Sequence, residues 1–199
     1  MSTIVKLVLI ALSTVFVQNL VFKGGFGMGE AMRIATKPRR FLIFTGLLTG
    51  FCVADTVACA LINKIPAIDS LGLEYQMPIN SGILLILFLL VVLAFTLATK
   101  RLPDEKFLST VGMAALNTLV FTLPILGKLS AYGIAEAAAF GVGAGISFLL
   151  ALSVLRFGVN KILENQEQIP HAFRGTPAFF IYSALFSLAM VGLAGETLF

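Results

Sequence analysis

Histidine occurs once in this chain, at His171, and cysteine twice, at Cys52 and Cys59. A zinc site usually draws on four Cys, His or carboxylate ligands, and the sequence spells out no such cluster. A nucleophile–histidine–carboxylate triad would have to use His171, which falls in a polar connecting segment. Catalysis and metal binding are therefore not expected of this chain alone. Charge is scarce too: 12% of the 199 residues are Asp, Glu, Lys or Arg, against about 25% in a soluble domain. What fills the space is apolar. The chain is 58% hydrophobic with 18 Phe, and its mean hydropathy is +0.99. That much apolar surface excludes disorder, and it lies outside the globular range. The net charge of +4 comes from basic residues in short loops between apolar runs, which is a topology signal and not a nucleic-acid patch. This is the composition of an integral membrane protein.

A membrane-crossing helix needs about 20 mostly apolar residues. Six stretches meet that length, at about 3–22, 41–62, 80–99, 107–127, 131–156 and 177–198, so an all-α protein with six transmembrane helices in a single domain over 1–199 is expected. The connections near 63–79 and 157–176 contain Pro66, Asp69, Glu74, Pro78, Asn160, Glu164 and Pro170, and read as surface loops. The loops after spans one, three and five hold Lys23, Arg33, Lys37, Arg39, Arg40, Lys100, Arg101, Lys106, Arg156, Lys161 and Arg174. Lys6, Lys64 and Lys128 are left for the other face. The positive-inside rule then places loops one, three and five in the cytoplasm and both termini outside. The first apolar run has the length of a signal peptide but no small-residue cleavage site follows it, so it is expected to be retained as a span.

Three spans per half give the second half the opposite orientation, the arrangement of inverted-repeat transporters, here about 1–100 and 104–199. A sequence echo supports it. Gln18-Asn19-Leu20-Val21-Phe22 ends span one, and Leu116-Asn117-Thr118-Leu119-Val120-Phe121 lies in span four. Helix breakers follow each: Gly24, Gly25, Gly27 and Gly29 in the first half, Pro124 and Gly127 in the second. Broken helices in spans one and four are thus expected. Unwound backbone at membrane depth must be satisfied by protein, water or an ion, and Asn19 and Asn117 are placed to help; the alternative is that each Asn caps a half-helix. The glycine run lacks the preceding strand and the Gly-Lys-Ser/Thr ending of a phosphate loop.

In span two, Cys52, Asp55, Thr56 and Cys59 share one helical face. An intramembrane carboxylate costs roughly 2.5–3.5 kcal/mol to insert and so points to protein or water. Asp55 is a candidate for binding a cation or relaying a proton, with Thr56 as its hydrogen-bonding neighbour. Cys52 and Cys59 lie about 10 Å apart along the helix, too far for a disulfide, and read as small packing residues. Glu136, among alanines and glycines at the start of span five, is either an outer ion contact or an interfacial side chain reaching for headgroups. Together Asp55, Thr56, Asn19, Asn117 and Glu136 are the candidates for an ion pathway.

Val17-Gln18-Asn19, Gly27-Met28 and Ile34-Ala35-Thr36-Lys37 resemble the first half of the Rnf/Nqr integral membrane subunits, and Pro170-His171-Ala172-Phe173-Arg174-Gly175 is similar to a Pro-x-x-Phe-Arg-Gly segment of the same family. With six spans and outward termini, the chain resembles the RnfA/NqrE branch. The resemblance implies a subunit of a redox-driven, ion-translocating complex in a prokaryotic cytoplasmic membrane, passing electrons between NADH and ferredoxin or quinone. It further implies other membrane subunits as partners, among them an inverted paralogue, with Phe173, Arg174 and Gly175 as subunit contacts. In the family each of two facing subunits supplies two cysteines to a [2Fe–2S] cluster. At those positions this chain has Gly29 and Thr118, neither of which ligates iron as a thiolate. The fold carries over; the electron-carrying role does not, and no cofactor is expected on this chain alone. The alternatives are a stand-alone ion or small-solute transporter built on the same scaffold, with a path past Asp55, and a purely structural assembly partner.

Overall fold

A chain this poor in polar side chains must satisfy its backbone internally, and helices do so within one segment. The computed structural model describes residues 2–36 and 41–193, and every regular element among them is helical. Lys37, Arg39 and Arg40, and the end of the expected last span, lie outside the described residues. Helix α1 (Thr3–Ser13) runs into a π-helical stretch (Thr14–Gln18) and stops at Asn19. There follow α2 (Leu20–Gly24), α3 (Met28–Ala35), α4 (Phe41–Ile62), a single turn α5 (Pro66–Asp69), α6 (Leu73–Thr99), α7 (Glu105–Ala115), α8 (Thr118–Leu129), α9 (Ile134–Glu164) and α10 (Thr176–Leu193). Four stretches are long and apolar enough to cross a membrane: Phe41–Ile62, Glu74–Thr99, Glu105–Leu129 and Ile134–Glu164. The first and last apolar helices, Thr3–Gln18 and Thr176–Gly192, are shorter. A helix from residue 3 to residue 18 rises only about 24 Å.

Three boundaries differ from expectation, each for a local reason. Helix α6 begins at Leu73 and takes in Pro78, which forfeits only the bond to the Glu74 carbonyl near the helix end. Helix α9 continues to Glu164 because its inner stripe does not stop at Arg156: Leu155, Gly158 and Val159 remain buried while Phe157, Asn160 and Lys161 turn outward. The interruptions in spans one and four fall at the asparagines themselves. Pro124 sits inside an unbroken α8, and Gly127 lies in the same helix.

Helix α9 is the centre of the bundle, packed by α1, α3, α4, α8 and α10. Its glycines set how close the neighbours come. A Cβ on Gly141 would lie 2.8 Å from the Val53 Cα and 2.9 Å from the Cys52 carbonyl oxygen. A Cβ on Gly145 would strike Thr49, also of α4, whereas one on Gly143 would lie 2.8 Å from the Ala11 carbonyl oxygen of α1. Gly141 and Gly145 therefore admit α4 on one side and Gly143 admits α1 on the other, the close approach that small residues allow between membrane helices. Below these contacts the Phe44 and Phe148 rings meet at 5.9 Å between centroids, and Arg156 stacks over Phe41 at 5.7 Å. Helices α4 and α9 thus run antiparallel. In contrast, Leu85, Ile86, Leu89, Leu90, Leu93 and Leu97 of α6 are all exposed, as a lipid-facing or partner-facing helix requires.

One end of the bundle gathers the residues that charge counting had set apart. Lys6 pairs with Glu136 across α1 and α9, Lys128 Nζ lies 3.4 Å from Asp69 Oδ1, and Lys64 lines the same recess as Lys128.

Candidate functional site

Polar side chains are buried at two depths of the bundle. The first lies near the midpoint of α9. Asn117 caps α8: its Oδ1 accepts from the Leu119 N–H at 2.9 Å, and its Nδ2 is buried without a partner. From the first half, the turn Gly25–Gly27 reaches the same place. The Gly27 N–H donates to Thr118 Oγ1 at 2.8 Å, ninety-one residues apart in sequence. Gly27 has φ +75°, and a Cβ there would lie 2.7 Å from Asn117 Oδ1 and 3.2 Å from the Phe148 ring, so both its conformation and its space call for glycine. Helix α3 leaves this level from Gly27 and α8 leaves it from Asn117. The structure therefore joins the Gly25–Gly27 turn of the first half to the interruption at Asn117.

Asn19 is the equivalent interruption in the first half. Its Oδ1 accepts from the Phe22 N–H at 3.2 Å, capping α2, and its Nδ2 donates to the Val15 carbonyl at 3.2 Å. Its φ of +22° and the π-helical stretch before it mark a strained exit from α1. Asn19 borders an apolar cleft of about 460 Å³ with Phe22, Leu150, Val154, Phe186 and Met190. Among the described residues no hydrogen bond links Asn19 to Asn117.

The second depth holds Asp55. The carboxyl is 1% exposed; Oδ1 accepts from the Cys59 thiol at 3.8 Å and Oδ2 has no partner. Thr56, expected from the helix face to be its hydrogen-bonding neighbour, is not. The Thr56 hydroxyl lies 2.7 Å from the Cys52 carbonyl oxygen and 3.1 Å from that of Ala137, spent on the backbone of α4 and α9. Ala137 and Phe148 are eleven residues apart on α9, so this layer stands about 16 Å from the interruptions. Thr56 also lines a recess of about 270 Å³ with Ala60, Lys64, Pro124, Gly127 and Lys128.

Glu136 belongs to neither layer. Its Oε2 accepts from the Gly133 N–H at 2.9 Å, capping α9, and Oε1 pairs with Lys6. The pairing cation is a lysine 130 residues away. Arg174 ties its own loop together, Nε donating to the Ile169 carbonyl at 2.8 Å and Nη2 to that of Glu167 at 3.1 Å. Phe173 beside it is half exposed, and Gly175 takes φ +74°. Sequence reasoning missed Gln76 and Asn80, buried on one face of α6, and Ser147 of α9; Gln76 Nε2 and Ser147 Oγ lack partners. Assigning 63–79 to a loop hid Gln76, whose four-residue spacing to Asn80 continues the inner stripe through Leu84.

Two thiolates per chain are what the family's cluster asks of the midpoint layer. The groups found there are a backbone amide, a hydroxyl and a carboxamide, and Gly29 has no side chain to offer. The two cysteines are buried in α4, at the level of Gly141 and Ala137. The donor set does not fit a thiolate-bound cluster, and among the described residues no group of three or more His, Cys, Asp or Glu could hold a metal ion.

No family model matches the chain. Individual relatives do. It is 32% identical over 197 residues to the RnfA component of the ion-translocating oxidoreductase complex of Aromatoleum aromaticum, covering 94% of this chain and 95% of the relative. The same component from Rhodobacter capsulatus is 30% identical over 190 residues, with 94% and 95% covered. Its counterpart in the Na(+)-translocating ferredoxin:NAD(+) oxidoreductase complex of Acetobacterium woodii is 26% identical over 194 residues, with 96% and 98% covered. Similarity of this extent along nearly the whole chain means that the protein belongs to the Rnf/Nqr family, in its RnfA branch.

Proposed function

We propose that this chain is an integral membrane subunit of an ion-translocating oxidoreductase complex, and that it holds no iron–sulfur cluster of its own. The observation that carries the assignment is similarity to complex subunits along nearly the whole chain. The protein spans the cytoplasmic membrane of a prokaryote six times, in two inverted three-helix halves with both termini outside. The meeting of Gly27 with Thr118 supports that symmetry, and the clustering of Lys6, Lys64 and Lys128 at one end supports the orientation.

A partner is written into the surface. Gly24, Gly25, Gly29, Leu116 and Thr118 are exposed around the interruptions, and Leu116 is 70% so. Irregular backbone at membrane depth does not face lipid. A related chain of opposite orientation covers this patch within the complex, and Phe173 offers a second contact at the loop before α10. The ion path runs past Asp55.

A second reading has one observation in its favour: the orphan oxygen of buried Asp55 suits a stand-alone transporter that needs no redox partner. Extraction from native membranes in mild detergent, followed by mass spectrometry of what co-purifies, separates the two. Flavoprotein and ferredoxin-like subunits are expected alongside the chain. A lone chain or homo-oligomer would overturn the complex assignment and leave the transporter.

A further inference from the structure

The geometry points to Asp55 as a proton-binding carboxyl served from the Lys64–Lys128 end of the bundle through the recess between α4, α8 and α9. This deepens the ion-pathway part of the reading above, and rests on it only for treating the bound species as a transported one.

The recess stops at Thr56 and Ala60, and the buried Asp55 and Cys59, which pair with each other, immediately precede these two residues in the same helix. The facing wall is Pro124 and Gly127 of α8. Gly127 has no side chain, so this wall leaves open space. A Cβ on Gly127 would meet nothing within 4 Å.

Charge around Asp55 leaves it uncompensated. On α4 its titratable neighbours are Cys52 and Cys59; Lys64 stands at the mouth, and Tyr132, between α8 and α9, lines the recess. Asp69 of α5 holds Lys128 of α8, and Glu136 of α9 holds Lys6. Glu74 and Tyr75, at the start of α6, are exposed. A lone negative charge at this depth is costly, so the carboxyl carries a positive species. The donor set selects which. A hard cation takes several oxygen ligands, but the Thr56 hydroxyl turns to the carbonyls of Cys52, Val53 and Ala137 and not to the carboxyl, and Cys59 supplies sulfur, a poor ligand for such an ion. A proton needs only Oδ2. The step is transfer of one proton from a water of the recess to Oδ2, with the hydroxide neutralised by the adjoining aqueous phase, and its reverse on release.

Infrared difference spectroscopy on the full chain in lipid nanodiscs, stepped in pH, tests this. A protonated-carboxyl C=O band is expected that disappears in Asp55→Asn and shifts in Asp55→Glu. Its hydrogen–deuterium exchange should slow in Gly127→Leu, which fills the recess. Should Asp55→Asn not fold, the shift in Asp55→Glu carries the assignment. Absence of any Asp55-dependent band overturns the proposal, as does displacement of that band by sodium at constant pH, which would make the site a cation site. Exchange indifferent to Gly127→Leu overturns the route. Co-purification reads the complex separately: partners retained with no band sink only this inference, and a band retained without partners sinks only the complex.

Discussion

Around Asn117 the polar groups are held by backbone geometry, whereas around Asp55 they are left partly unspent. In the midpoint layer the Gly25–Gly27 turn closes on the interruption at Asn117 through the Gly27–Thr118 hydrogen bond, with the Asn117 side chain capping one helix and pressing on the glycine. In the layer about 16 Å away, α4 and α9 are regular and tightly packed, yet they enclose a carboxyl oxygen with no partner. The first layer is irregular, and what it leaves unpartnered is uncharged, the Asn117 amide nitrogen and the Ser147 hydroxyl. The second is regular and unsatisfied. Irregular backbone inside a membrane protein need not be where the chemistry is; a buried charge-bearing group with an open lone pair is the better pointer.

The contrast can be broken by substitution. Gly27→Val should do the most damage, because a β-branched side chain must adopt φ +75° and displace Asn117; a loss of about 3 kcal/mol or more is expected, read as a lowered Tm in detergent. A Gly27→Val protein as stable as the parent would show that the midpoint contact is incidental. Thr118→Val keeps the shape and removes the acceptor for the Gly27 N–H, with an expected cost of about 1–2 kcal/mol by the same measurement. Glu136→Gln, which loses the partly exposed pair with Lys6 but keeps an acceptor for the Gly133 N–H, should cost less than about 1 kcal/mol and even less at high salt. Asp55→Asn should shift Tm least, since the carboxamide keeps the acceptor for Cys59, while abolishing ion flux in reconstituted membranes with assembly retained. A large Tm loss in Asp55→Asn would move the carboxyl to the structural side of the comparison.

Much of this was legible before any coordinates. Hydropathy marked every long helix, and the Asn-Leu-Val-Phe and Asn-Thr-Leu-Val-Phe runs marked both interruptions, because an asparagine within an apolar run has to do something for the backbone. Their position was misread by a few residues. Glycine and proline were taken as the breakers, but α8 absorbs Pro124, and the chain leaves the helix where an asparagine can cap the next one. Asp55 stood out as a lone acid in a span. Its true partner did not, since Thr56 and Cys59 both lie within helical reach and the Thr56 hydroxyl is taken by the carbonyls of Cys52 and Ala137. Glu136 was opaque for a different reason: its cation is contributed from the far end of the chain.

The alternating glycines of α9 carry a consequence for motion. With α4 seated against Gly141 and Gly145 and α1 against Gly143, neither can slide along α9 without lifting off it, because side chains on both partners already touch backbone. Helices α1, α4 and α9 thus make a fixed frame. Helix α6, whose candidate span has only 11% of its residues buried, has no such lock. Tilting within the bundle is therefore left to α6, and a cross-link between α6 and α4 is the place to stop it.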